Sequence, residues 1–221
     1  MHYETPQVPQ PAAGDAAHAL AKAVLSTVPV VGGPAVELFQ FLIQPPIERR
    51  RAKWMAQVGE KLAQLHAAGL NLQSLQSNEQ FVSATLHATQ IALRTHVDEK
   101  LTALRNALAN VASGQAPPDA EQHYFFELVD SLTELHIQIL KVAHAPAIPA
   151  GFSRARFNMV LEFSIRSLHG RRDLAAQFWR DLHVRGLVKI ERIDEDLSIP
   201  SLANKRTTEL GDQFLRFIGG T

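Results

Sequence analysis

Histidines and carboxylates are the side chains most often recruited for hydrolytic and metal chemistry, and the sequence holds ten histidines and 22 acidic residues. Their spacing argues against such use. His87 and His96 stand nine apart, and His136 and His144 eight apart, whereas two ligands on one helical face belong one turn apart. No His-Glu-x-x-His pair occurs. Isolated helical histidines are expected at the surface or hydrogen-bonded within a core. The carboxylates have plainer duties: Asp98 and Glu99 suit a helix start, Glu134 a capping box, and Asp194–Asp196 a solvated turn. Serine, histidine and aspartate are all present, but without the Gly-x-Ser-x-Gly elbow that exposes a nucleophile. Val31-Gly32-Gly33-Pro34 lacks the Gly-Lys-Ser/Thr end of a phosphate loop. Zero cysteines exclude thiolate catalysis, disulfides and thiolate metal sites. The expectation is a non-enzyme with no catalytic residue, no metal ligand, no cofactor and no evident small-molecule substrate.

The residue types favour contact instead. Arg49, Arg50, Arg51 and Lys53, beside Trp54, form the densest positive run. Cations in a first helical turn oppose the helix dipole, so the run is either a solvated helix start or a contact for anionic lipid or another acidic partner. Residues 19–43 are the most apolar window. A membrane span needs about 20 helical residues, and Lys22, Glu37, Gln40 and the Pro29–Pro34 break interrupt this one. It is expected to pack on the helical body or, after a trigger, to lead Leu38, Phe39, Leu42 and Ile43 into a bilayer. At rest those four side chains should be buried, since each exposed one forfeits about 1.5–3 kcal/mol.

The elements that must position these groups are helical for most of the chain. Helical spacing predicts Ala16–Val28, then a helix opened by Pro34 and running to Ile43, then a break at Gln44-Pro45-Pro46 with Pro46 opening a new helix ended by Gly69. Ser77 with Gln80 reads as a capping box for a long helix over 81–111, bent near 95–98. Residues 114–118 form a loop, Asp119 caps the next helix, and Ser131 with Glu134 opens another. Beyond residues 145–151, a second and third helix are expected over about 153–168 and 171–186, with strand signal confined to 187–206. Gly186 should end the third helix, and Thr207 or Thr208 should cap a last one carrying Leu210, Phe214, Phe217 and Ile218.

That order of helix, glycine, strand, turn, strand and helix predicts an all-α protein: an N-terminal helical bundle packed on a C-terminal winged helix-turn-helix with a two-stranded wing. The expected division is a disordered lead-in over 1–15, a bundle over 16–130 and a winged domain over 131–221. In a winged domain the third helix reads DNA. Arg171, Arg172, Gln177 and Arg180 are its candidate contacts, with Lys189 and Arg192 on the wing. Asp173, Asp181 and Asp194–Asp196 oppose phosphate approach. Residues 1–146 carry 10 Lys+Arg against 13 Asp+Glu, and 147–221 carry 12 against 9; DNA-binding domains usually show a stronger bias. The first 15 residues have no basic and apolar secretory pattern, so the cytoplasm is the expected compartment, with the inner membrane as a peripheral contact.

Three segments resemble the Abi-alpha family, helical bacterial proteins linked by name to abortive phage infection. Arg49–Leu72 resembles its helix with a basic start, Val97–Ala112 its Leu/Ala-patterned segment, and Leu128–Val142 with Arg185–Val188 and Thr207–Ile218 its winged end. Arg105 and Asn106 depart from the Trp-Ala that the family favours there. The resemblance implies a non-enzymatic, defence-associated interaction protein, acting on a protein partner or on itself. The alternative from the residues is a winged-helix transcriptional regulator.

Overall fold

The computed structural model describes residues 34–148, 154–190 and 192–220, with the side chains described from residue 41 onward. The expected helix over 16–28 and the side chains of Leu38 and Phe39 lie outside that range.

Contacts divide the chain into one unit ending at Leu72 and another beginning at Gln73. The first unit is dominated by α1 (Pro34–Ala67). Pro34 opens this helix as expected, but Pro45 and Pro46 do not break it. Neither can donate to the carbonyl four residues back, at a typical cost of about 3 kcal/mol per proline. The surrounding turn is exposed, so water can satisfy the freed carbonyls, and Gln44 Nε2 donates to Glu48 Oε1 across the prolines at 2.9 Å. Trp54 and Val58 are buried. Gly69, at φ 103°, ends the helix: its N–H bonds to His66 O and that of Leu70 to Leu65 O, closing the last turn.

The second unit begins within α2 (Leu72–Gln76), followed by α3 (Glu79–Arg94) and α4 (Asp98–Ala112). The expected long helix is thus two helices, because Thr95 turns extended and its hydroxyl accepts from Val97 N–H. The capping residue of α3 is Asn78 rather than Ser77. α5 (Asp119–Ser131) has Pro118 at its cap, and α6 (Glu134–His144) is capped by Thr133. There His136, not Glu134, completes the capping box: its Nδ1 accepts from Thr133 N–H at 3.1 Å. Ser131 ends α5 instead of opening α6.

After β1 (Arg154–Arg156) come α7 (Phe157–Ser164), a 3₁₀ turn over Arg166–Leu168, and α8 (Arg172–Val184). β2 (Asp196–Ser198), the short α9 (Ile199–Leu202) and α10 (Glu209–Ile218) complete the chain. The small sheet corrects the expected pairing. β2 runs antiparallel to β1, with Ala155 opposite Leu197, so the strand signal is not confined to 187–206. Among the described residues, the two arms expected to form the wing are joined by the isolated bridge Val188–Thr207, with Lys189 N–H bonded to Arg206 O and Thr208 N–H to Leu187 O. The expected second helix starts late for the same reason: residues 154–156 pair before α7 can begin.

The core has two foci. Phe125 and Phe126 of α5 meet Phe214 and Phe217 of α10 at ring separations of 5.2–5.7 Å, over Ile91, Leu104 and Leu108. Trp179 of α8 packs edge-on to Phe157 at 5.3 Å and donates to Ile190 O at 2.8 Å. Buried Arg206 lies over Phe157, 4.0 Å from its centroid, and its guanidinium donates to the carbonyls of Ser201, Leu202 and Asn204. Because α10 packs on α4 as well as α6, residues 131–221 share one body with α3–α5. The expected boundary at 131 falls inside it.

Candidate functional site

α1 presents the positive run together with unexpected apolar exposure. Phe41 is 75% and Leu42 57% exposed, with Ile43 and Ile47 also at the surface. This overturns the expectation that Leu42 and Ile43 are buried. At about 100° per residue, Leu42, Arg49 and Lys53 fall along one side of the helix and Ile43, Ile47 and Arg50 along the next. Each line passes from apolar to cationic. Arg49, Arg50 and Lys53 are exposed and Arg51 is half-buried.

The residues considered for DNA are exposed, but most already hold partners. Glu162 accepts from Arg172 Nε at 3.0 Å and from Gly170 N–H at 3.2 Å. Arg180 donates to Gln177, which donates to Asp181. Arg192 grips Asp194 with two nitrogens at 2.9 and 3.1 Å, and holds that carboxyl below its ordinary pKa. Arg171 reaches Ser167 O at 3.5 Å, and the Lys189 side chain is exposed. Arg172 and Arg180 stand about 80° apart around α8, with Asp173 about 20° beyond Arg180.

The cluster that spacing did not reveal joins the end of α6 to the start of α10. Asp212 is buried. Its Oδ1 accepts from Thr207 Oγ1 and from His144 Nδ1, the latter at 2.9 Å, and its Oδ2 accepts from Lys205 Nζ. Burial alone would raise the carboxyl pKa; the bonds from Lys205, Thr207 and His144, with the Lys205 charge, outweigh it and hold it down to about 2. His144 and Asp212 line a cleft of about 420 Å³ between α4, α6 and α10. A carboxylate bonded to a cleft histidine is one half of the arrangement that the sequence argued against. The other half, a metal, has no support in the geometry: among the described residues no three potential ligands converge.

Asn106 and Asn110 are a second omission of the sequence reading. Asn110 Nδ2 donates to Phe217 O at 2.8 Å and Asn106 Nδ2 to Ile218 O at 3.0 Å. One turn apart on α4, they cap the carbonyl end of α10. Histidines 36 positions apart also meet: the rings of His87 and His123 lie 4.9 Å apart, with His87 Nε2 3.1 Å from Glu127 Oε1. Only the fold could bring α3 and α5 together there.

Compared with known proteins, the chain matches no family model, no curated protein and no solved structure.

Proposed function

We propose that this protein acts by contact rather than turnover, as a defence-type interaction protein whose α1 meets an anionic membrane surface. The exposed Leu42, Ile43 and Ile47, followed along the same sides of the helix by Arg49, Arg50 and Lys53, with exposed Phe41 beside them, carry this reading. Apolar side chains entering the acyl boundary contribute about 1.5–3 kcal/mol each, and each cation near acidic headgroups about 1 kcal/mol. Among the described residues no helix is long and apolar enough to cross a membrane, so the contact is interfacial. The resemblance of three segments to abortive-infection proteins supports the defence context and a bacterial cytoplasm as the setting. Under this reading residues 131–221 are a winged-helix-like module used for packing and protein contact. The pairing of Arg172 with Glu162 and of Arg192 with Asp194 favours that use over DNA readout.

The test is flotation of the full chain with vesicles containing phosphatidylglycerol, against vesicles of phosphatidylcholine alone. Binding confined to the acidic vesicles, lost in Phe41→Ser/Leu42→Ser and weakened in Arg49→Gln/Arg50→Gln, is expected. Equal flotation with both lipids, or none, refutes the membrane reading. In bacteria challenged with phage, deletion of residues 1–44 should abolish protection, and protection that survives it refutes α1 as the effector.

A further inference from the structure

We propose that the cleft between α4, α6 and α10 binds a small carboxylate with an apolar body, His144 Nε2 making the direct contact and Asp212 positioning the ring. The proposal stands apart from the membrane reading and uses none of its residues. The cleft volume, about 420 Å³, falls in the range of about 300–1,000 Å³ usual for small-molecule sites. Its walls include the apolar side chains of Ala103, Ile137, Leu215 and Ile218, and its rim the exposed Lys141 and Arg216.

The His144 ring is fixed for the task. Asp212 is ionised at neutral pH and can only accept, so His144 Nδ1 carries the proton of their 2.9 Å bond. Both recorded contacts of the ring use Nδ1, and the side chain is 44% exposed. Nε2 is therefore left for a ligand. A carboxylate with one oxygen on Nε2–H would place the imidazolium between two anions, with its second oxygen toward a rim cation. The charged groups facing this point are Glu99 and Lys141, paired at 2.5 Å, Arg216, paired with Glu209 at 3.0 Å, and Asp212 with Lys205. Glu99–Lys141 and Arg216–Glu209 are each neutral as pairs.

The experiment titrates the full chain with hexanoate and with benzoate, followed by the NMR signals of the His144 ring, with benzyl alcohol as the uncharged control. We expect a saturable shift at His144 with both acids and none with benzyl alcohol. His144→Gln should weaken binding by about tenfold or more. Thr102→Trp places bulk at the cleft from an exposed position of α4 and should block binding while the thermal midpoint holds. An unshifted His144 ring, equal affinity for benzyl alcohol, or unchanged binding in both variants overturns the proposal.

Discussion

Replacing Asp212 by asparagine keeps the shape of the α6–α10 junction and removes its buried anion. The native carboxyl is held from an ordinary 3.8 down to about 2, and at about 1.4 kcal/mol per pKa unit that difference amounts to about 2 kcal/mol at neutral pH. The variant should lose stability of that order, because Lys205 and His144 then face an amide in place of a charge. For a unit of this size, about 2–4 °C per kcal/mol gives a fall in midpoint of roughly 4–8 °C, read by circular dichroism at pH 7. The sign of the pH dependence follows from the depressed value. The stabilisation is complete above the unfolded-state pKa near 3.8 and disappears as pH falls through about 2. The gap between wild type and Asp212→Asn should therefore be flat from pH 7 to 5 and close between pH 4 and 2. Equal midpoints at pH 7, or a gap that persists unchanged to pH 2, would refute the assignment of Asp212 as a charged clasp.

A β-carbon added at Gly211 would lie 2.3 Å from Leu187 O. Gly211→Ala should therefore force α10 away from the α8–Val188 corner and cost about 1–3 kcal/mol, measured by urea unfolding. Arg206→Ala leaves three carbonyls and the Phe157 face without their buried donor. It should cost about 3–5 kcal/mol, and Arg206→Lys should recover only part, since one ammonium cannot reproduce the planar fork. Burial beside Phe178 lowers the His136 pKa below 6.5 against the opposing pull of Asp181. Its contribution is present above pH 6.5 and declines as pH falls through the folded-state value. His136→Gln should flatten the urea midpoint between pH 7 and 5, and an unaltered slope would show that His136 does not titrate in the fold.

Local rules read the chain where a single residue type decides the backbone. Gly186, at φ 71°, ends α8, and Leu187 N–H returns to Leu182 O as such an end requires. Thr208 caps α10 through Gly211 N–H. Where two neighbours could serve equally, the reading slipped by one or two residues: Asn78 for Ser77, and Thr133 for Ser131. The choice depends on which side chain folds back onto its own backbone, and composition does not encode that. The β1–β2 pair was illegible for a different reason. Residues 154–156 are Arg-Ala-Arg, too short an alternation and with only a small apolar residue to mark a strand, and they become one only because residues 196–198 arrive beside them.

The same distinction governs function. Along one helix, chemistry must repeat at three or four residues to be visible, and the His136/His144 spacing of eight hid the partner that His144 actually uses. That partner lies 68 residues away, where the Thr207 hydroxyl and Lys205 meet its carboxylate. Asn106 is the side chain that holds Ile218 O at the edge of the same cleft. Alanine at 106 would remove that amide donor and leave the end of α10 to be satisfied by other means. The double exchange Arg105→Trp/Asn106→Ala is thus expected to loosen the last turn of α10 without touching α8. Amide exchange should then speed at residues 216–220 while the Trp179 region keeps its protection. Unchanged exchange at 216–220 would mean that Asn110 alone suffices and that Asn106 has no structural task at the cleft.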